Sequence, residues 1–282
     1  MNKYAGVVVL YRPDQKILKN IQTYLSEIDY LFIIDNTPNQ NHQDWFTDQK
    51  MYYVANNENK GIATALNQGA ILAKEHKCNW LLTMDQDSKF TKKNILCLKK
   101  FVEQCDDSIV GLVSPWHVTK TGEKKPSQKT EELVEVMTSG NFVNLKAYQA
   151  VGGWKDWLFI DSVDIEFCMN LNVHGFKVIR YNEAELIHNL GDIKIKRIFT
   201  RNFVCSNHNY IRQYYMTRNM LYVNEMYHDK FPEYCAFIRR GTWGRIKNIL
   251  IWEKDRYRKI RNIYRGYRDY KKKIRGSYPY KN

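Results

Sequence analysis

The sequence has no long apolar run. No segment approaches the roughly 20 consecutive apolar residues that a membrane-spanning helix requires. The apolar run from Ala5 to Tyr11 is followed at once by Arg12-Pro13-Asp14, whereas a signal peptide would continue to a small-residue cleavage site. We therefore expect a protein that does not span a membrane and that acts in the cytoplasm.

Its cysteines also lack a pattern. Six are scattered along the chain, with no CxxC pair and no dense spacing, which argues against a disulfide framework and a zinc site. The remaining composition is ordinary for a globular protein, and 282 residues can bury a sizeable core. We expect one catalytic domain, residues 1–225, and a helical extension, residues 226–282.

Acidic residues are scarce in the C-terminal part of the chain. Residues 239–282 contain 16 Lys or Arg against three acids, a net charge of +13, while the rest of the chain carries +1. Aromatic and aliphatic residues recur there every three or four positions, which predicts an amphipathic helix. Such a helix fits an anionic membrane surface; the alternatives are packing on the catalytic domain or on a second copy, giving a homodimer.

Short apolar runs alternate with helical periodicity in the first half of the chain. This pattern is typical of an α/β sheet built from crossover connections. A further strand is predicted at Val134–Met137 and a helix at Val163–His174, which ends before Gly175. The strands of the first half are predicted at Gly6–Leu10, Leu31–Asp35, Tyr52–Ala55, Trp80–Met84 and Ile109–Ser114.

Polar residues follow three of these strands. Asp35-Asn36, Asn57–Gly61 and Asp85-Gln86-Asp87 each stand at or just after a strand end. Ligands of open α/β sheets bind beyond the carboxyl ends of the strands, so these loops predict a binding site at one sheet edge. Each loop alone is also an ordinary turn.

Asp85 and Asp87 are spaced to hold a divalent cation. One residue separates them, and hard cations prefer carboxylate oxygens. A divalent metal can neutralise the charge of a diphosphate leaving group as its bond to a sugar breaks. The pair therefore favours a metal-dependent sugar transferase, although such pairs also occur in solvated turns.

The set of motifs resembles glycosyltransferase family 2, especially its bacterial rhamnosyltransferase-like members. The resemblance covers residues 4–220 in family order, which makes the set specific. It is carried by Val7-Val8-Val9-Leu10-Tyr11, Ile33-Ile34-Asp35-Asn36, Asn59-Lys60-Gly61-Ile62-Ala63, Ala65-Leu66-Asn67-Gln68-Gly69, Trp80–Ser88, Ser139-Gly140, Gly152-Gly153-Trp154, Phe159–Cys168 and His188.

This resemblance implies a GT-A fold, which is a Rossmann-like mixed sheet flanked by helices, and an inverting transfer. By motif position Asp164 is the base that deprotonates the acceptor, with Asp161 as the second choice and Glu166 on the acceptor side. Alternatively, all three acids stand at the N-terminus of a helix only because the helix dipole stabilises negative charge there. Arg212 and Arg218 resemble acceptor-side residues of the same subgroup, or are ordinary structural arginines.

The resemblance also assigns the donor site. His188 would complete a manganese or magnesium site with Asp85 and Asp87, because imidazole beside carboxylates disfavours calcium. The Asp35 carboxylate would accept a hydrogen bond from a uracil or thymine base. The full set expected to bind the nucleotide sugar is Tyr11, Asp35, Asn36, Asn59, Gly61, Asn67, Asp85 and Gln86.

The expected function is transfer of a sugar, with L-rhamnose from dTDP-rhamnose the first choice, to a saccharide or lipid-linked acceptor of bacterial cell-surface polysaccharide. Galactose, glucose and galactofuranose are alternative donor sugars. A different class of function is single-stranded nucleic-acid or anionic-lipid binding through the basic tail. The acidic strand ends argue against nucleic acid, so we expect none, and we place the enzyme on the inner face of the plasma membrane.

Overall fold

The computed structural model describes residues 2–120, 122–188, 194–198, 201–205 and 207–280. The chain forms two compact units. One contains residues 1–156 and 164–189, and the other contains residues 157–163 and 190–282. The predicted domain boundary at residue 225 falls inside a helix, Tyr210–Tyr227, so the division at that residue stays a prediction.

A mixed β-sheet is the centre of the first unit. Its parallel part has the order β3-β2-β1-β4, which continues through antiparallel β8 to β6, β9 and β5, while β7 pairs with β9. The strands are β1 (Tyr4–Leu10), β2 (Tyr30–Asp35), β3 (Met51–Ala55), β4 (Trp80–Asp85), β5 (Lys89–Phe90), β6 (Val110–Val118), β7 (Thr130–Glu132), β8 (Asn141–Asn144) and β9 (Lys177–Ile187).

Helices connect these strands and bury their apolar faces. Ile17 and Ile21 are buried on the first helix, and Ile95, Leu98 and Val102 are buried on the third. Their spacing of three or four residues agrees with the helical periodicity found in the first half of the sequence. The helices are α1 (Lys16–Gln22), α2 (Ile62–Glu75), α3 (Lys92–Glu103), α4 (Leu145–Ala150) and α5 (Val163–Val173).

The parallel strands confirm the predicted arrangement of the polar loops. Strands β1, β2, β3 and β4 run in the same direction, so their carboxyl ends share one edge. The loops after β2 and β3 touch there, because the Asn36 side chain donates to the Gly61 carbonyl at 3.0 Å. The loop after β1 reaches the Asp85 turn through Gln86, whose Oε1 accepts the Tyr11 N–H at 2.9 Å.

The strand predicted at Val134–Met137 is wrong. The strand in this region is β7, and the chain leaves the sheet after Leu133, whose N–H donates to the Val178 carbonyl at 2.9 Å. Side chains satisfy carbonyls there in place of a ladder: Thr83 Oγ1 donates to the Thr138 carbonyl at 2.5 Å, and Asn141 Nδ2 donates to the Met137 carbonyl at 2.7 Å. The apolar composition of this segment did not distinguish a buried irregular segment from a strand.

Close packing of α2 on β1 depends on Gly69. A Cβ at this position would lie 2.6 Å from Val7 Cβ. We expect Gly69→Ala to lower the free energy of unfolding by about 1–3 kcal/mol, because overpacking outweighs the helix propensity of alanine.

Chemical denaturation measures this loss. Gly241→Ala is the matched control, since a Cβ at Gly241 meets nothing within 4 Å and the change should be neutral or stabilising by up to about 1 kcal/mol. Equal effects of the two substitutions would contradict the close approach at Gly69.

The second unit contains three long helices and a two-stranded antiparallel sheet. Helix α6 has an unusually polar interior in which Arg218 and Asn219 are fully buried. Among the described residues, no helix is both long and apolar enough to cross a bilayer. The elements are β10 (Lys194–Ile198), β11 (Arg201–Cys205), α6 (Tyr210–Tyr227), α7 (Pro232–Trp252) and α8 (Arg256–Lys271).

The cysteine prediction agrees with the part of the chain that the structure describes. Free thiols stand at Cys78, Cys97, Cys105, Cys168 and Cys235. The side chain of Cys205 lies outside the described residues. Burial raises the pKa of both Cys78 and Cys105 to about 11, so these thiols stay protonated at neutral pH.

Candidate active site

Asp85, Asp87 and His188 come together as predicted. One potential ligand atom from each lies within 4.8 Å of the other two, although the histidine is about 100 residues away along the chain. Pairing of β5 with β9 brings this about, because Lys89 lies opposite Ile187. Ser88 orients the imidazole through a 2.6 Å hydrogen bond between its Oγ and Nδ1.

The chemistry of this group fits a divalent cation. Two carboxylates and an imidazole suit manganese or magnesium, and ligand distances of about 2.0–2.2 Å require donor atoms closer than 4.8 Å. His188 Nδ1 and Asp85 Oδ2 are 4.0 Å apart. Asp87 is exposed, so a phosphate group could approach these three residues from solvent.

Ser139 supports the metal group from behind. Its hydroxyl accepts the backbone N–H of Asp85 at 3.0 Å, and its carbonyl is 2.7 Å from Nε2 of His117. The His117 ring meets that of His188 edge-on, with centroids 5.9 Å apart. Burial lowers the pKa of His117 to about 4, so at neutral pH this imidazole is neutral and its Nε2–H can donate to Ser139.

Asp35 lies at the end of β2 and is only 1% exposed. Its Oδ2 accepts from Tyr53 Oη at 2.7 Å and lies 2.6 Å from His42 Nδ1, while Oδ1 accepts the Thr37 N–H at 2.8 Å. Burial alone would raise the Asp35 pKa, but hydrogen bonds from Thr37, His42 and Tyr53 outweigh it and lower the pKa. The carboxylate is therefore ionised and held in one orientation.

The loop before α2 is shaped around Gly61. This glycine has φ +85° and N-caps the helix, a conformation that strains other residues. Its N–H donates to Asn59 Oδ1 at 3.0 Å. Asn36 and Gly61 thus belong to one hydrogen-bonded loop cluster beside Asp35, which suits close approach of a ligand to backbone.

A cavity of about 360 Å³ opens beside the metal group. Asp14, Gln86 and Asp87 line it together with three cations. Asp14 lies 3.8 Å from Lys16, so Arg12 and Lys89 are the cations that suit a phosphate group next to a metal. The cations are Arg12, Lys16 and Lys89.

The Asn67 side chain, which was expected to bind the donor, makes its hydrogen bonds to the 148–156 segment instead. Its Nδ2 donates to the Trp154 carbonyl at 2.8 Å and to Asp156 at 2.7 Å, and its Oδ1 accepts from Trp154 and Tyr148. With all its hydrogen-bonding capacity used, Asn67 holds the 148–156 segment, and we leave it out of the donor site proposed below.

Asp164 lines a second cavity, of about 280 Å³. The carboxylate stands in the first turn of α5 and its Oδ1 accepts the Ile165 N–H at 2.9 Å. His117 lines the same cavity and touches the metal group through His188. The predicted base and the predicted metal ligands therefore border neighbouring spaces.

The other two acids of this motif have different surroundings. Asp161 forms a bidentate ion pair with Arg212, at 2.5 and 3.3 Å. It belongs to a strained turn, since Phe159, Asp161 and Ser162 all have φ above +60°. Glu166 is completely buried on α5, which suits a structural position.

Arg218 and Asn219 hold this turn in place. Asn219 Nδ2 donates to the carbonyls of residues 158, 160 and 161 at 2.8–3.0 Å. The guanidinium of Arg218 is buried and donates to the carbonyls of Trp157 and Gly276. We therefore retain only Arg212 as a candidate acceptor-side cation and give Arg218 a structural role.

Several residues that contact the predicted site were not assigned to it from the sequence. They include His42 and Tyr53 beside Asp35, Ser88 and His117 beside His188, and the hydroxyl of Ser139, which supports Asp85. Ser88 and Ser139 carried a usable signal, because both stand in motifs of the family resemblance; the others depend on tertiary contacts.

A family profile described as Glycosyl transferase family 2 matches residues 15–162, which is more than half of the chain. Among curated proteins, the chain is 28% identical over 239 residues to "dTDP-rhamnosyl transferase RfbF" of Shigella flexneri. That alignment covers 77% of this chain and 78% of the relative.

Solved structures with a similar fold include two that hold UDP or a UDP-sugar. The chain superposes on S. aureus TarS residues 1–349, in complex with UDP-GlcNAc, with a TM-score of 0.64 and 10% identity, covering 96% of this chain and 82% of that one. It superposes on GalNAc-T7 with UDP, GalNAc and Mn²⁺ with a TM-score of 0.63 and 12% identity, covering 86% of this chain and 51% of that one. The present chain thus spans about half of GalNAc-T7, and the likeness confirms the predicted GT-A fold.

Proposed function

Because the chain belongs to glycosyltransferase family 2 and is a glycosyltransferase, we propose that it transfers L-rhamnose from dTDP-rhamnose, with inversion, to a saccharide or lipid-linked acceptor of bacterial surface polysaccharide. The observation that carries the transfer chemistry is the convergence of Asp85, Asp87 and His188. The choice of rhamnose rests on the similarity to the S. flexneri rhamnosyl transferase.

In this proposal the donor lies along the carboxyl edge of the parallel strands. Asp35, preoriented by His42 and Tyr53, receives the base, and the Gly61 loop lies against the nucleoside. Asp85, Asp87 and His188 would hold manganese or magnesium, which supplies charge neutralisation to the diphosphate as it departs. Arg12 and Lys89 add positive charge at the adjoining cavity.

Asp164 serves as the base. It accepts the proton of an acceptor hydroxyl as that oxygen attacks the anomeric carbon, and the nucleoside diphosphate leaves from the opposite face. A carboxylate suits this work because it can accept a proton at neutral pH, where free aspartate side chains are ionised. A single displacement of this kind inverts the anomeric configuration.

The test is a donor screen with and without metal. Purified protein is assayed for nucleotide release from dTDP-rhamnose, UDP-galactose, UDP-glucose and UDP-galactofuranose, in Mn²⁺, in Mg²⁺ and in chelator. We expect dTDP-rhamnose to be turned over fastest and chelator to stop turnover. Preference for another sugar selects one of the alternatives, and full turnover in chelator contradicts metal dependence.

We also propose that the C-terminal helices bind an anionic membrane surface. Phe237, Trp243 and Leu250 are 62%, 67% and 51% exposed on α7, and their spacing places them on one side of the helix. Arg240 and Lys247 interleave with them on the same side. Rings and aliphatic groups flanked by cations suit a headgroup interface.

Helix α8 has the same character. Tyr257, Tyr264 and Tyr267 are exposed, by 78%, 63% and 47%. The opposite side of the helix is polar and buried, where the Asp269 carboxylate accepts from Tyr214 at 2.9 Å. The aromatic side is therefore directed outward, which supports a lipid partner at the inner face of the plasma membrane.

Vesicle flotation tests the membrane proposal. We expect binding to vesicles of phosphatidylcholine with phosphatidylglycerol, weaker binding without phosphatidylglycerol, and at least about tenfold weaker binding for Trp243→Ser/Leu250→Ser because two large apolar groups no longer insert. Ile71→Ser, which removes an exposed apolar side chain of α2, is the matched control and should bind normally.

Single-stranded nucleic acid is the competing partner for this surface. Aliphatic side chains such as Leu250 and Ile251 favour lipid, because nucleic-acid binding uses aromatic rings and cations. Salt-sensitive binding to an oligonucleotide, with no vesicle binding, would replace the membrane proposal.

A further inference from the structure

His117 is a buried polar side chain that takes no part in the proposed transfer steps. It stands near the end of β6 and is 7% exposed. Burying an imidazole costs free energy unless its polar atoms are hydrogen-bonded. Its Nε2 lies 2.7 Å from the Ser139 carbonyl, and because a carbonyl can only accept, Nε2 is the donor. His117 therefore holds the backbone of Ser139.

The backbone at residues 137–139 is held by side chains rather than by pairing as a strand. The three carbonyls of this segment accept from Asn141 at 2.7 Å, from Thr83 at 2.5 Å and from His117 at 2.7 Å. The next residue, Gly140, has φ +84° and donates its N–H to the Thr83 carbonyl at 2.6 Å. Thr83 thus ties the segment to β4, and His117 ties it to β6.

Ser139 and the end of β6 meet the metal group on two sides. The Ser139 hydroxyl accepts the Asp85 N–H at 3.0 Å, so a shift of Ser139 displaces the first aspartate. On the other side, the Val118 carbonyl accepts the His188 N–H at 3.2 Å, and the His117 ring meets the His188 ring edge-on with centroids 5.9 Å apart. Two adjacent residues of β6 therefore support both the aspartate and the histidine of the group.

We infer that His117 is a positioning residue of the metal group, which sets through Ser139 where Asp85 stands relative to His188. The inference rests on the proposed function, since it takes Asp85, Asp87 and His188 as the metal ligands. Substituting a group that orients metal ligands typically costs roughly 10- to 100-fold in metal affinity. His117 should therefore control metal binding without itself being a ligand.

Mn²⁺ binding to the full chain tests this role, measured by the electron paramagnetic resonance of free and bound Mn²⁺ in the presence of dTDP. We expect His117→Leu to weaken Mn²⁺ binding by about 10- to 100-fold, because the Ser139 carbonyl loses its donor. His117→Gln should stay within about threefold of the unsubstituted protein, since its amide can place an N–H close to the position of the imidazole Nε2–H.

His117→Asn separates positioning from packing. Its amide is the same as that of glutamine but stands one methylene closer to the backbone, so it falls short of Ser139 and should bind Mn²⁺ as weakly as His117→Leu. If His117 merely filled space, leucine would be tolerated better than either amide, because it buries no polar group. The comparison of Gln with Asn decides between the two roles even where the Leu variant fails to fold.

His76→Leu is the matched control. The half-buried His76 is also bonded to a carbonyl, with Nδ1 2.9 Å from that of Leu72. Its ring packs against Tyr30 at the first residue of β2, with centroids 4.6 Å apart, which is the sheet edge opposite the metal group. Its substitution should leave Mn²⁺ affinity unchanged.

Equal Mn²⁺ affinity in the Gln and Asn variants, or normal affinity in His117→Leu, would overturn the inference while leaving the proposed function intact. Slower donor turnover at normal Mn²⁺ affinity would also overturn it, and would assign His117 to the cavity beside Asp164 that its ring lines. Absence of Mn²⁺ binding by the unsubstituted protein would instead contradict the proposed metal site and remove the inference with it.

Discussion

Asp164→Asn is expected to reduce the turnover number for sugar transfer by roughly 10²- to 10⁴-fold, the range that positioned general bases contribute. The amide has nearly the shape of the carboxylate and can keep the hydrogen bond from the Ile165 N–H, but it cannot accept the acceptor proton. Donor affinity should stay close to normal, because Asp164 lines the cavity beside Trp116 and Arg180 rather than the donor edge. Initial-rate assays and donor calorimetry separate these two quantities.

Asp161→Asn is the informative comparison. Asp161 is tied to Arg212 by two hydrogen bonds, so its substitution should disturb the turn and reduce turnover less than Asp164→Asn does. If Asp161→Asn abolishes transfer while Asp164→Asn leaves most of it, the base has been misassigned and Asp161 takes the role.

Asp87→Ala is expected to weaken Mn²⁺ binding and to reduce the specificity constant for dTDP-rhamnose by roughly 10³-fold. This size follows from the several kcal/mol that a metal contributes to stabilising a leaving diphosphate. The remaining pair, Asp85 and His188, offers only two of the three converging ligand atoms. Titration with Mn²⁺, followed by calorimetry and by rate, gives the binding loss and the catalytic loss independently.

Asp229→Ala is the matched control, because that carboxylate is fully exposed and lies 3.4 Å from the ring of His228. It should change neither quantity. Unchanged Mn²⁺ affinity in Asp87→Ala would remove Asp87 from the metal site, whereas unchanged transfer in the presence of chelator would show that catalysis needs no metal.

The strand predictions were confirmed for the apolar runs that are buried in the parallel sheet. Val7, Val8 and Leu10 on β1, and Leu81 with Leu82 on β4, are fully buried in a parallel sheet, which requires uninterrupted apolar runs. The prediction failed at Val134–Met137, where Val136 and Met137 line a cavity instead. An apolar residue in the sequence indicates that its side chain is buried. It does not indicate whether that side chain packs in a sheet or lines a cavity.

The basic segment 239–282 shows a similar difference. Its periodicity predicted one amphipathic helix, whereas the structure has two helices, α7 and α8, which are separated at residues 253–255. The direction of the apolar side could not be predicted, because it depends on the partners of the polar side. On α8 the polar side is held by tertiary contacts such as the buried ion pair between Lys259 and Glu253, at 2.7 Å.

Asp85 and Asp87 mark the limit of what sequence by itself determined. Their spacing and their place after a buried strand predicted a metal-binding strand end, because parallel strands align their carboxyl ends. Family resemblance added His188, and only the pairing of β5 with β9 brought it beside them. The support from Ser139 and His117 and the cavity at Asp164 were decided by tertiary structure alone, because they join residues that chain order leaves far apart.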